Sequence, residues 1–211
     1  MKEDYTKEPA SRVSSTSSNG AFDIVALAAS AGGLRALSEV LAALPADFPA
    51  SIVVVQHLDP RHRSLMADIL SRRTALRVKQ AEEGNRLNPG VAYIAPPNRH
   101  LLVNSDSTLS LSQSELVHFV RPSADLLFES VAASYKDRSI AVVLSGTGSD
   151  GSMGVQAIKK MGGTVIVQDE KTSEFFGMPG AAIQSGSADF ILPLDEIPSA
   201  LVTLVSTGDI S

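Results

Sequence analysis

The chain has 211 residues, is 44% hydrophobic and 19% charged, and carries a formal net charge of −5; that length buries one sizeable core, and no compositional break suggests a second. The acidic balance argues against a nucleic-acid-tracking surface, which needs clustered Lys and Arg, and zero cysteines exclude disulfides and thiolate metal sites. No apolar run reaches the roughly 18 residues that span a bilayer, and nothing near the start resembles a signal peptide, so a soluble, cytoplasmic protein with no membrane insertion is expected.

Residues 1 to 20 are charged and then rich in Ser and Thr. Too few apolar groups are present there to offset the entropy of ordering, so the segment reads as a flexible tail ahead of a domain over 21 to 211. Phe22 to Ala29 then reads as a strand, and Leu34, Leu37, Val40, Leu41 and Leu44 recur at helical spacing up to Pro45. Ser51 to Leu58 predicts the next strand, and a helix follows from Ser64 to about Arg73. The basic stretch Arg61, Arg63, Arg72, Arg73, Arg77 and Lys79 reads as the solvated face of that helix and its flanks.

Val91 to Ala95, Leu101 to Val103 and Leu109 to Leu111 look like a meander or hairpin at a sheet edge, divided by Pro96-Pro97-Asn98 and by Asn104 to Ser107. Pro122 to Lys136 predicts a helix capped by Ser123. Ile140 to Ser145, Thr164 to Gln168 and Asp189 to Leu192 are further strands, with helices between them and after Ile197. Runs apolar on both faces and joined by crossover helices imply an α/β fold: a single doubly wound, mostly parallel sheet with helices on both faces and an antiparallel hairpin at one edge.

Ser30, His57 and Asp150 each fall just past the carboxyl end of such a run, where an open α/β sheet places its chemistry. In Ala29-Ser30-Ala31-Gly32-Gly33, small residues around a tight strand-to-helix turn would present the hydroxyl above the sheet, beside N–H groups at a helix N-terminus that suit an oxyanion. The plain alternative is that Ser30 is a helix N-cap. His57 closes an apolar strand; if the first two strands are neighbours, it can take the Ser30 proton. His62, His100 and His118 are less well placed, and the five-residue spacing of His57 and His62, with no third ligand, gives no metal site.

The loop Ser145-Gly146-Thr147-Gly148-Ser149-Asp150-Gly151 has two readings. Gly146, Gly148 and Gly151 spell a dinucleotide fingerprint after a strand, with Asp169 where a ribose-binding acid would fall. Asp150 would then repel the bound pyrophosphate, so the better reading is that the glycines let the loop turn until Asp150 accepts the second ring N–H of His57. Phe175, Phe176 and Met178 would line the cleft beside this triad.

The ordered runs AASAGGLRAL, VVVQHLDP, YIAPPNRHL, RPSADLLF, VVLSGTGSDG, GGTVIVQD and FFGMPGAAI resemble the catalytic domain of the bacterial chemotaxis protein-glutamate methylesterase family, from about Asp23 to Val205. The resemblance implies a doubly wound α/β domain whose catalytic serine, histidine and aspartate match Ser30, His57 and Asp150. It implies hydrolysis of glutamyl methyl esters on chemoreceptor cytoplasmic helices or a related sensory protein, with glutamine deamidation as a second reaction and no cofactor. Ala31 stands where the family usually has threonine, and Thr147 where it has methionine; the resemblance carries the oxyanion donors to the backbone at Ala31, Gly32, Thr147 and Gly148. The motifs look most like the subset joined to receptor methyltransferase and sensor domains. The twenty leading residues cannot supply the receiver domain that often precedes this domain, so none is expected. A non-catalytic binding module in a sensory assembly is the alternative outside enzymology.

Overall fold

The computed structural model describes residues 21–57 and 65–208. The tail, His62, the end of the second expected strand and the start of the following helix lie outside the described residues.

The chain begins with β1 (Ile24–Ala29), α1 (Gly33–Ala42), β2 (Ser51–Gln56) and α2 (Met66–Ser71), then β3 (Arg77–Gln80), β4 (Val91–Ile94), β5 (His100–Val103) and β6 (Leu109–Ser112). It continues through α3 (Ala124–Tyr135), a 3₁₀ turn at Lys136–Arg138, β7 (Ser139–Val143), α4 (Ser152–Lys160), β8 (Thr164–Gln168), α5 (Gly177–Gln184), β9 (Phe190–Leu192) and α6 (Ile197–Thr207). Among the described residues, seven parallel strands form one sheet in the order β3-β4-β2-β1-β7-β8-β9.

The central strand β1 is wholly buried because its two faces feed two cores. Val25, Leu27 and Ala29 pack with Leu37 and Leu41 of α1, Leu70 of α2 and Leu201 of α6. Ile24, Ala26 and Ala28 face Leu127, Phe128 and Val131 of α3, Val155 of α4 and Ala182 of α5. The period-two alternation of strand side chains thus divides one apolar run between two helical layers.

The chain winds outward from β1 through β2 towards β3, then returns to the other side of β1 as β7. That reversal opens a crevice outside the carboxyl ends of β2, β1 and β7. The residues that follow those three strands therefore share one rim.

Two expectations need refining. Val91 to Ile94 is no part of the hairpin; it forms β4, between β2 and β3. The antiparallel pair is β5 and β6, a separate two-stranded sheet whose Leu101, Val103 and Leu109 join the core on the α3 side. Arg77 and Lys79, expected beside a helix, lie on edge strand β3, which pairs with β4 from Arg77↔Val91 to Gln80↔Ile94. Three of its four residues are exposed, so it has no apolar signature; short, charged edges of this kind also discourage pairing with other chains. The Lys79 ammonium lies 5.1 Å from the centre of the Tyr93 ring on β4, an attractive cation–π geometry.

Candidate active site

Parallel pairing of β1 with β2 sets Ala29 opposite Gln56, so Ser30 and His57 leave the sheet at the same level. The His57 amide donates to Ala29 O at 3.1 Å, and the Ser30 amide donates to Ser145 O at 3.0 Å. The serine turn is thereby held on one side by β2 and on the other by the end of β7. Gln56 Nε2 adds a clamp, donating to Ser30 O at 2.7 Å and to His57 O at 3.1 Å.

The N-cap of α1 is Gly32, with φ of 75°, and no side chain caps the helix. Ser30 is therefore not a capping residue, and its hydroxyl has no hydrogen bond among the described residues. Glycine is required at 32 twice over: its backbone is left-handed, and an added Cβ would lie 2.7 Å from Ser145 Oγ. A Cβ on Gly146 would come within 2.4 Å of Met178 Sδ and 2.9 Å of Ser30 Cβ, so the Asp150 loop passes directly behind the serine.

His57 Nε2 lies 2.8 Å from Asp150 Oδ2, with 11% of the ring and 3% of the carboxylate exposed. The same carboxylate accepts from Ser123 Oγ at 2.9 Å, Ala124 N at 2.6 Å and Asp125 N at 3.1 Å, so the N-terminus of α3 closes around it with donors and a favourable dipole. Burial pushes the Asp150 carboxyl up, but the hydrogen bonds from His57, Ala124 and Asp125 outweigh it and leave the group below its ordinary value. Asp150 remains an anion facing His57, which fixes the ring with Nε2 protonated.

Asp125 faces α4. Its Oδ1 accepts from Met153 N at 3.0 Å and Gly154 N at 2.7 Å, while Oδ2 lies 3.3 Å from His118 Nε2. Burial, with the nearby Asp150 charge, raises this carboxyl despite the bonds from α4 and the His118 contact. His100 is a satisfied core residue: its Nδ1 accepts from Ser123 N at 3.1 Å and Nε2 pairs with Glu115 O at 2.9 Å.

The amides of Ala31, Gly32, Thr147 and Gly148 find no acceptor among the described residues. They border the Ser30 turn and the loop behind it, the arrangement an oxyanion site needs. Met178 lies elsewhere than expected: it is 1% exposed, belongs to the α3-side core and donates its amide to Gly146 O at 2.8 Å. It supports the loop from beneath, whereas Phe175, 40% exposed, reaches the surface.

The dinucleotide reading of Gly146, Gly148 and Gly151 is not supported. Gly151 is the N-cap of α4 and packs against Ala124 and Phe128. Asp169 Oδ1 is occupied by the Thr172 amide and hydroxyl, so it reaches for no ribose. The loop turns tightly to aim Asp150.

Sequence reasoning missed Gln56, Ser123 as a partner of Asp150, and Ser145. Ser145 Oγ donates to Ala31 O at 2.8 Å and accepts from Phe175 N at 3.0 Å, while its amide donates to Gln168 Oε1 at 2.8 Å. A polar residue ending an apolar strand was the available signal in both Gln56 and Ser145. A cleft of about 410 Å³ opens beside Ser30, lined also by Gly32, Arg35, Gln56, Met66 and Arg73.

Residues 25–201 match the family described as CheB methylesterase. A Leptospira interrogans protein is 40% identical over 183 residues, covering 87% of this chain and 95% of its own length. A protein-glutamate methylesterase/protein-glutamine glutaminase of Thermotoga maritima is 40% identical over 202 residues; the chain spans 59% of that protein's length and 94% of this chain is covered. The crystal structure of the Thermotoga maritima CheB methylesterase catalytic domain superposes with a TM-score of 0.84 at 41% identity, covering 87% of this chain and 99% of that one.

Proposed function

The chain belongs to the CheB methylesterase family, and from that premise we propose that it hydrolyses methyl esters of glutamate side chains on a chemoreceptor or related sensory protein, with deamidation of glutamine as a second reaction. The observation that carries this reading is the 2.8 Å contact between His57 and the buried Asp150 carboxylate, on the same rim as the unengaged Ser30 hydroxyl.

Ser30 Oγ attacks the ester carbonyl while His57, whose Nε2 is committed to Asp150, takes the hydroxyl proton at Nδ1. Asp150 stabilises the imidazolium. The oxyanion is held by amides among those of Ala31, Gly32, Thr147 and Gly148, fixed in place before the charge develops. His57 returns the proton to the methoxide as the C–O bond breaks, and methanol leaves. Water, activated by the same ring, then releases glutamate and regenerates Ser30. A glutamine substrate follows the same path with ammonia as the leaving group.

The experiment is methanol release from a methylated chemoreceptor fragment by the unaltered chain and by Ser30→Ala, with an organophosphonate serine probe on both. Release that vanishes in Ser30→Ala, together with labelling at Ser30, is the expected result. Labelling without release would mean a different acyl substrate. Absence of both signals would leave a binding module.

A further inference from the structure

Arg35 and Arg73 both line the cleft beside Ser30, and no Asp or Glu lines it among the described residues. This is notable in a chain whose formal net charge is −5. Neither His57 nor Asp150 lines the cleft, so it adjoins the reacting centre without being part of it.

Arg73 is oriented: its Nη1 donates to Ser38 Oγ at 3.2 Å, and Ser38 Oγ donates to Leu34 O at 2.6 Å, so the guanidinium is tethered to the helix that also bears Arg35. Neither arginine has a carboxylate ion-pair partner among the described residues. The neighbouring cleft of about 480 Å³ shares Arg35 but is lined by Glu39, Glu174 and Asp195 as well as Lys171, so its charges are mixed and it offers an anion no comparable site.

We propose that Arg35 and Arg73 form a carboxylate subsite beside Ser30, which selects ester-bearing segments whose neighbouring side chains are Glu or Asp. The inference rests on the methylesterase reading. Hydrolysis of a glutamyl methyl ester leaves a glutamate carboxylate, so wherever modifiable positions lie close together, the neighbours of a remaining ester are carboxylates. A planar guanidinium matches a carboxylate with two parallel N–H bonds, which a point charge cannot do. The subsite would thus favour segments already partly demethylated.

The test uses two peptides, each with one glutamate methyl ester, differing only in whether the flanking acidic positions are Glu or Gln. Two solvent-exposed charge-assisted contacts should give the unaltered chain a preference of about tenfold in kcat/KM for the acidic peptide. The preference should shrink as ionic strength rises towards about 0.5 M and fall towards one in Arg35→Gln/Arg73→Gln. Arg35→Gln alone, at an exposed position, should remove part of it and serves if the double variant is poorly folded.

Equal kcat/KM for the two peptides, or a preference that survives the double substitution, would overturn the subsite. If neither peptide gives Ser30-dependent methanol release, the methylesterase reading fails by itself. Fluorescence anisotropy of the same labelled peptides on Ser30→Ala then still reads the subsite: tighter binding of the acidic peptide that depends on Arg35 supports it, and equal binding refutes it.

Discussion

Asp150→Asn isolates the electrostatic part of the proposed mechanism. Asp150 Oδ2 faces the Ala124 amide at 2.6 Å and His57 at 2.8 Å, while Oδ1 faces the Ser123 hydroxyl and the Asp125 amide. An asparagine retains most of these bonds by placing its oxygen at the Oδ2 position and its NH₂ towards Ser123, whose hydroxyl can reverse to accept. The Asp125 amide and the Ser123 hydroxyl hydrogen then both lose the Oδ1 acceptor, each at a cost of about 1 to 3 kcal/mol for a buried unsatisfied donor. The catalytic loss is separate. A unit charge about 4 Å from the imidazolium at an effective dielectric constant of about 20 is worth about 4 kcal/mol, which corresponds to a fall of about 10³-fold in kcat. Methanol release under saturating substrate measures it, with thermal melts confirming the fold. Because the Asp150 carboxyl lies below its ordinary value in the folded chain, the stability it contributes is present above the ordinary carboxylate pKa, near about 3.9, and is lost as pH falls through the lower folded value. The melting difference between Asp150→Asn and the unaltered chain should therefore narrow in acid. A folded Asp150→Asn chain retaining kcat within about tenfold of the parent would refute a catalytic role for the charge.

Gly146→Ala places a Cβ against Met178 Sδ and Ser30 Cβ; overpacking there should cost about 1 to 3 kcal/mol and lower kcat through displacement of Ser30, and an unchanged kcat would show that the serine turn does not depend on this contact. Asp125→Asn keeps an acceptor for the Met153 and Gly154 amides and removes a charge that burial and Asp150 disfavour. A carboxyl raised in the folded chain contributes stability below the ordinary carboxylate range and loses it as pH rises through the folded value, so the variant should melt above the parent at pH near 7, with the gap closing in acid. A lower melting temperature at neutral pH would mean that the His118 contact outweighs both effects.

The sequence by itself determined the doubly wound α/β class, because a strand buried on both faces must be apolar throughout and each crossover helix must show its own period. Thr164–Gln168 was legible residue for residue, as was the Ser123 cap. The candidate triad was legible as three residues ending three apolar runs, but their meeting was not, since it depends on β2 and β7 flanking β1, a matter of strand order that local pattern does not encode. Only the tertiary structure could decide between Asp150 as a partner of His57 and as a bystander in a phosphate loop, because a glycine-rich turn serves either purpose and the outcome is set by where α3 brings its N-terminal donors. The short edge strand β3 escaped detection because Val78 alone of its four residues packs against the core while the other three are exposed, leaving no apolar alternation. Arg73 read as one charge on a solvated face; its position beside Ser30 follows from the packing of α2 against α1, which brings together residues 43 positions apart.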